Sequence, residues 1–286
     1  MADERAAGGI LSEADFSAYD VRFGAAQRTV YGAEGATDAR TIYTAVPPAG
    51  GAAMVAQMLS VLQPLHALRT PPAANVTRAG TEYHQLVEAM KFAFGERTQL
   101  GDPLFYNISS VYPAMIGAAR VDAVRARITP RTHNISYYLP GGGAARYMDD
   151  DHGTSHFSVM DDAGNAVALT TTVNLVFGSM FETSDGVLMN DQMNDFTVDP
   201  TRANAFGIPP SKSNEIAPHK RPLSSIAPLL VMHPDEAADG VEFALGGSGG
   251  PMIVSAVAQV ALLLLERKDL SKFLYKKEKK PCNLFA

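Results

Sequence analysis

Residues 153–174 read GTSHFSVMDDAGNAVALTTTVN. Two β-prone runs, 156–159 and 166–173, flank Asp161-Asp162-Ala163-Gly164-Asn165, a loop-type sequence. Asp and Asn side chains bond their own backbone, and Gly takes a positive φ without steric cost. The block therefore predicts an antiparallel hairpin. Upstream, Pro140-Gly141-Gly142-Gly143 breaks regular structure and opens an acidic loop, GGGAARYMDDDHG, that leads to Thr154. The chain is expected to pass from exposed loop to core strand at Gly153-Thr154. A small residue followed by a hydroxyl nucleophile at such a junction suits self-cleavage. A break before Thr154 would free an α-amine beside the Thr154 hydroxyl, and that amine can act as its general base. An ordinary strand start fits the same two residues.

Before the loop the chain reads as mainly helical. Ser12 followed by Glu13 predicts a short capped helix. Residues 50–65 (GGAAMVAQMLSVLQPL) predict a helix with small and apolar faces. Thr81 is the expected N-cap of a helix running through Glu96, in which Leu86, Met90, Ala93 and Phe94 form one apolar face. After the hairpin, 200–222 is irregular and Pro-rich, and 241–245 reads as a strand. A glycine turn, 246–250, then leads into a helix over 252–265 (MIVSAVAQVALLLL), with Pro251 suited to its first position. Ser255 and Gln259 interrupt that apolar run. It falls short of the ~18–20 residues that cross a bilayer, so a core helix is expected. The Lys-rich stretch 266–280 reads as a solvated end, and no internal repeat is found.

The chain has 286 residues, 46% hydrophobic and 19% charged, with a net charge of -6. A chain of this size buries ~75% of its unfolded surface, enough for a core without staples. The acidic balance argues against a nucleic-acid partner. The single Cys282 excludes an intramolecular disulfide and a Cys-cluster metal site. Residues 1–9, MADERAAGG, lack the apolar stretch of a signal peptide.

Several patterns compete for chemistry. Gly246-Gly247-Ser248-Gly249-Gly250 matches the G-x-S-x-G nucleophile elbow between a strand and a helix. In that fold the acid and histidine follow the serine, yet the last histidine here is His233. The better reading is a set of glycines exposing N–H groups at a helix N-terminus, a place that stabilises an anion or an oxyanion. Asp149-Asp150-Asp151-His152 with His156 resembles a metal set. His-x-x-x-His needs a helix, however, and Gly153 with its β-prone continuation opposes one, so no metal is expected. Sequons at Asn75, Asn107 and Asn134 point toward a secretory route and a glycoprotein.

Residues 153–196, beginning GTSHFSVMDDAGNAVALTTTVNLVFGSM and ending GVLMNDQMNDF, resemble the start of the small subunit of γ-glutamyltransferase (γ-glutamyl transpeptidase), with one preceding glycine. Three more stretches are similar and lie in the right order: YHQLVEAMKFAFGERTQLGDP (83–103), PLSSIAP (222–228) and GSGG (247–250). The resemblance runs from about Ala7 to Glu266. It implies an α+β chain, the N-terminal-nucleophile hydrolase αββα four-layer sandwich. It also implies autocatalytic cleavage of a zymogen before Thr154. Residues 1–153 would be the end of a large subunit and 154–286 most of a small one, intertwined in one domain and paired after cleavage.

Carried over by motif, the resemblance makes Thr154 the nucleophile and Thr172 its hydrogen-bonding threonine. Asn174, Gln192 and Asp195 would hold the α-amino and α-carboxylate ends of a γ-glutamyl substrate. Ser224 and Ser225 would bind the α-carboxylate, and Gly249 and Gly250 would form the oxyanion hole. The implied reaction moves a γ-glutamyl group from glutathione to an amino acid, a dipeptide or water, without a cofactor. An extracellular or membrane-attached location goes with it. The family's carboxylate-pairing arginine would lie upstream, and no arginine here matches its motif. The tail RKDLSKFLYKKEKKPCNLFA does not look like the family's last strands. A fold incomplete at both ends is therefore expected. The alternative to an active transferase is a truncated, inactive relative that serves at most as an interaction partner.

Overall fold

The computed structural model describes residues 2–71, 74–140, 153–204, 207–234 and 240–266. The acidic run 149–152 and the tail from 267, with Cys282, lie outside them. The larger sheet takes strands from both ends of the chain. β1 (Gln27–Tyr31) and β2 (Arg40–Thr44) come early, and β5 (Leu229–Met232) and β6 (Val241–Leu245) come late. They stand in the order β1-β2-β5-β6, antiparallel at every pair. Ile42 and Val231, both fully buried, are cross-strand partners at its centre. Each such buried side chain contributes about 1.5–3 kcal/mol.

The hairpin is the second sheet: β3 (Thr154–Met160) pairs with β4 (Ala166–Thr172), Thr154 opposite Thr172. Its turn is closed by Asn165 N–H donating to Asp161 Oδ1 at 2.8 Å. The polar side chains of the hairpin face the larger sheet: Ser158 Oγ donates to the Ala244 carbonyl on β6 at 3.1 Å. Its apolar side chains point outward, and Phe157, Val159, Val167 and Leu169 are all more than half exposed.

Helices fill the other side of the larger sheet. α1 (Ala2–Ala6) and α2 (Glu13–Ser17) are short, and Ser12 and Asp15 close a capping box on α2. α3 (Gly50–Leu62) is buried at every residue but Ser60, as its small and apolar sequence requires. Around it pack α4 (Val76–Arg97), α5 (Val111–Ile116), α6 (Ala118–Arg127) and α7 (Met252–Glu266). α7 buries Ile253, Val254, Val257, Ala258, Ala261 and Leu262, one stripe at helical spacing. Among the described residues no helix is long and apolar enough to cross a membrane. Helices and antiparallel sheets together make an α+β fold.

Two expectations need correction. α4 begins five residues before Thr81, because Asn75 is an equally good cap: its Oδ1 accepts from Arg78 N–H at 3.0 Å. Thr81 lies inside the helix and donates back to the Thr77 carbonyl. The first half is also not simply helical, since it contains β1 and β2. Their five-residue sequences, QRTVY and RTIYT, carry charge and give a weak alternation.

Candidate active site

β3 and β4 end side by side at the Gly153-Thr154 bond. Thr154 Oγ1 donates to Thr172 Oγ1 at 3.1 Å, and Thr172 Oγ1 donates to the Gly153 carbonyl at 3.2 Å. The Val173 N–H reaches the same carbonyl at 3.2 Å. The Thr172 oxygen also accepts the Asn174 N–H at 2.8 Å, which fixes its rotamer. Gly153 is held by space as well. A Cβ there would stand 2.0 Å from the Leu175 carbonyl oxygen, so only glycine fits.

Beyond β4 the chain turns through Asn174, buried and at φ +80. Asn is among the few side chains that tolerate this region. Its Nδ2 donates to the Asp191 carbonyl at 3.2 Å, and its Oδ1 accepts from Gln192 Nε2 at 3.3 Å. Gln192 Nε2 also donates to Asp195 Oδ2, both residues lying on one short 3-10 turn, Gln192–Asp195. Asp195 is 6% exposed. Burial pushes its carboxyl up to about 6; the Gln192 hydrogen bond and the Arg97 cation pull it down, and Asp191 pushes it further up.

The serine pair is held from the α3 side. Ser224 N–H donates to the Pro48 carbonyl at 2.9 Å, and Gly51 N–H donates to the Ser224 carbonyl at 3.2 Å. Ser224 Oγ accepts the Ile226 N–H at 3.2 Å. The glycine turn lies between β6 and α7, with Gly249 at φ +116 and Gly250 at φ +51. Their carbonyls accept Met252 N–H and Ile253 N–H, which starts α7 there.

These pieces meet. Thr154, Thr172, Asn174, Gln192, Asp195, Ser224, Ser225 and Gly250 line one small cleft, closed by Ile226, Pro251 and Ile253. Gly249 adjoins it in the chain but is not part of its lining. Ser248, the elbow candidate, is exposed and outside it. His156 lies one pleat along β3 from Thr154, bonded to Thr170 and Ser158, and burial pushes its pKa down. Among the described residues no group of His, Cys, Asp and Glu is placed to hold a metal.

The family model Gamma-glutamyltranspeptidase matches residues 1–276. The chain belongs to the γ-glutamyltranspeptidase family. The glutathione hydrolase proenzyme of Arthroderma benhamiae is 41% identical over 188 residues, 65% of this chain and 31% of that protein. Glutathione hydrolase 3 of Arabidopsis thaliana is 36% identical over 265 residues, 91% of this chain and 38% of that protein. The solved structure of an LmbA2991 variant superposes on 96% of this chain and 43% of its own, with TM-score 0.54 and 19% identity, a likeness of fold. The chain spans about a third of the length of the curated relatives it matches.

In this member of the family, the structure brings residues to the cleft's surroundings that the motifs did not mark. The need for glycine at 153 comes from a carbonyl 22 residues downstream in the chain, Leu175, which only the folded turn brings close. Arg97, the last residue of α4, is 3% exposed and within the field of Asp195. The GER stretch around it was visible, but nothing in its spacing tied it to the site.

Proposed function

We propose that this chain carries the nucleophile and much of the glutamyl-binding half of a γ-glutamyltransferase or glutathione hydrolase, made active by a cut between Gly153 and Thr154. One observation carries this: the relay from the Thr154 hydroxyl through Thr172 to the Gly153 carbonyl. That carbonyl receives two donors and lies beside a hydroxyl of the next residue, an arrangement suited to an N-to-O acyl shift. Thr154 Oγ attacks the Gly153 carbonyl carbon and the C–N bond breaks. The nitrogen leaves with the hydroxyl's proton as the α-amine of Thr154, and water hydrolyses the resulting ester. The freed amine then serves as general base for the same hydroxyl.

In the second phase the substrate's ammonium pairs with Asp195, a charge-assisted contact about twice as strong as a neutral one. Ser224 and Ser225 donate to the α-carboxylate, and Asn174 and Gln192 orient both ends. Thr154 Oγ attacks the γ-carbonyl, Gly249 and Gly250 N–H groups stabilise the oxyanion, and the amine leaves protonated. An amino acid, a dipeptide or water takes the γ-glutamyl group and regenerates Thr154. These steps use side chains and backbone alone. Relatives named glutathione hydrolase, some of them proenzymes, support glutathione as donor and the cut as activation. The stacking of helices, large sheet and hairpin supports three layers of an αββα sandwich, with the exposed face of Phe157 and Leu169 as the seat of the fourth.

The test is a denaturing gel of the expressed chain, N-terminal sequencing, and release of p-nitroaniline from γ-glutamyl-p-nitroanilide with and without a dipeptide acceptor. A short fragment beginning at Thr154 is expected. A chain that stays whole, or is cut elsewhere, overturns the assignment.

A further inference from the structure

The stretch 83–103 takes no part in the chemistry above, yet its end runs along the back of the cleft. Arg97 is buried, and its Nη2 donates to the Leu223 carbonyl at 3.0 Å. Asn214, 4% exposed, accepts the Leu223 N–H on Oδ1 at 2.9 Å and donates from Nδ2 to the Asp195 carbonyl at 2.8 Å. Leu223 directly precedes Ser224 and Ser225. Both of its peptide groups are thus gripped by buried side chains, and one of those side chains also grips Asp195. The neighbouring residues lie equally close. Ser213 Oγ donates to the Leu100 carbonyl at 2.6 Å, and Arg221 N–H donates to Asp102 Oδ2 at 2.9 Å. A Cβ on Gly101 would stand 2.3 Å from the Ser213 carbonyl.

We propose that Arg97 and Asn214 are positioning residues that set the spacing between Asp195 and the Ser224–Ser225 pair, and so the span over which a zwitterionic amino-acid head is held. This rests on the roles given above to Asp195 and the two serines. Stability alone is a poor account of Arg97. A buried cation is costly, and well-packed apolar side chains often do as well or better in its place. Here the guanidinium has one carbonyl partner by direct bond, and its Nε is buried without a hydrogen-bond partner among the described residues. Burial lowers its pKa to about 10, so it remains a cation at neutral pH, and Asp195 is the charge that opposes that shift. A charge kept at such cost beside the substrate's anchoring acid is explained by the geometry it imposes. Asn214 does the same by hydrogen bonds alone, because one side chain bridges the two anchoring segments.

The experiment compares Arg97→Met, Arg97→Lys and Asn214→Ala with the unmodified chain. It reads fragment formation on a gel, KM and kcat on γ-glutamyl-p-nitroanilide, and amide hydrogen exchange by peptide. Arg97→Met and Asn214→Ala should raise KM by about tenfold or more while kcat falls less, the pattern of lost ground-state positioning. Exchange should quicken in peptides covering 195–197 and 223–226, and with them at Gly51 and Ala52, whose N–H groups bond the Ser224 and Ile226 carbonyls, and stay unchanged in β3 and β4. Arg97→Lys, which keeps a cation and can still donate to the Leu223 carbonyl, should recover most of the KM. Exchange that quickens everywhere alike, or KM unchanged with only a smaller folded fraction, overturns the proposal. If the unmodified chain releases no anilide, the functional reading fails on its own. The exchange pattern then decides the positioning role: local quickening at 195–197 and 223–226 supports it, and its absence in Arg97→Met refutes it.

Discussion

The hydroxyls of Thr154 and Thr172 lie 3.1 Å apart across the open end of the hairpin, and the second of them points its proton at the Gly153 carbonyl. Strand register places these two residues opposite one another, so the pairing is built into the ladder before any cut occurs. Thr172→Val should therefore fold normally but form fragments more slowly, by ~10²-fold, the usual cost of one oxyanion donor. Thr154→Ala should remain a single chain. A gel time course separates the two, and equal cutting rates in Thr172→Val and the parent would remove Thr172 from the process.

Gly153→Ala tests the packing behind that bond. The added methyl meets the Leu175 carbonyl oxygen at 2.0 Å, backbone against which nothing can yield cheaply. Fragment formation should fall sharply although the nucleophile is intact. N-terminal sequencing of whatever is cut checks this, and normal processing would show that the turn after β4 gives way.

The pH dependence follows from Asp195. Burial lifts its carboxyl to about 6, so below that pH the free protein holds it neutral and offers nothing to an ammonium. On acidification kcat/KM should fall about tenfold per pH unit below about 6. The folded carboxyl is the weaker acid, so folding stability should also decline as pH rises from the ordinary aspartate range toward about 6. Asp195→Asn should remove both dependences, with substrate binding weakened by roughly 1.5–3 kcal/mol or more. A kcat/KM profile of that variant with an unchanged acid limb would assign the titration elsewhere.

Leu59→Ala probes the core under the site. Leu59 is 1% exposed on α3, the helix against which α4 and α7 pack. The truncation should cost about 2–5 kcal/mol, seen as a lower urea midpoint. A loss under 1 kcal/mol would mean that α3 is less tightly enclosed than its burial implies.

The hairpin was legible because Asp161–Asn165 and the flanking runs carry their own turn chemistry within a single window. α7 was legible because one apolar stripe runs its whole length. β1, β2 and β5 were not: their runs of four or five residues give little alternation, and β2 and β5 find their register in each other across the chain, Ile42 opposite Val231. Composition and spacing marked Thr154 and the glycine turn, and the family resemblance supplied Asp195 and the serines. The convergence of all of them on one cleft depends on Asn174, Asn214 and Arg97, whose contacts join segments that no local pattern links.

The larger sheet interleaves strands from before and after the Gly153-Thr154 bond, β2 lying against β5. If that bond is cut, the native contacts survive, but the unfolded reference becomes two molecules instead of one. Folding then acquires a reaction order: the processed form loses stability on dilution and must find its other piece again after any full unfolding. Maturation would act as a ratchet, in which a chain able to refold alone becomes a pair that persists through the slowness of its separation.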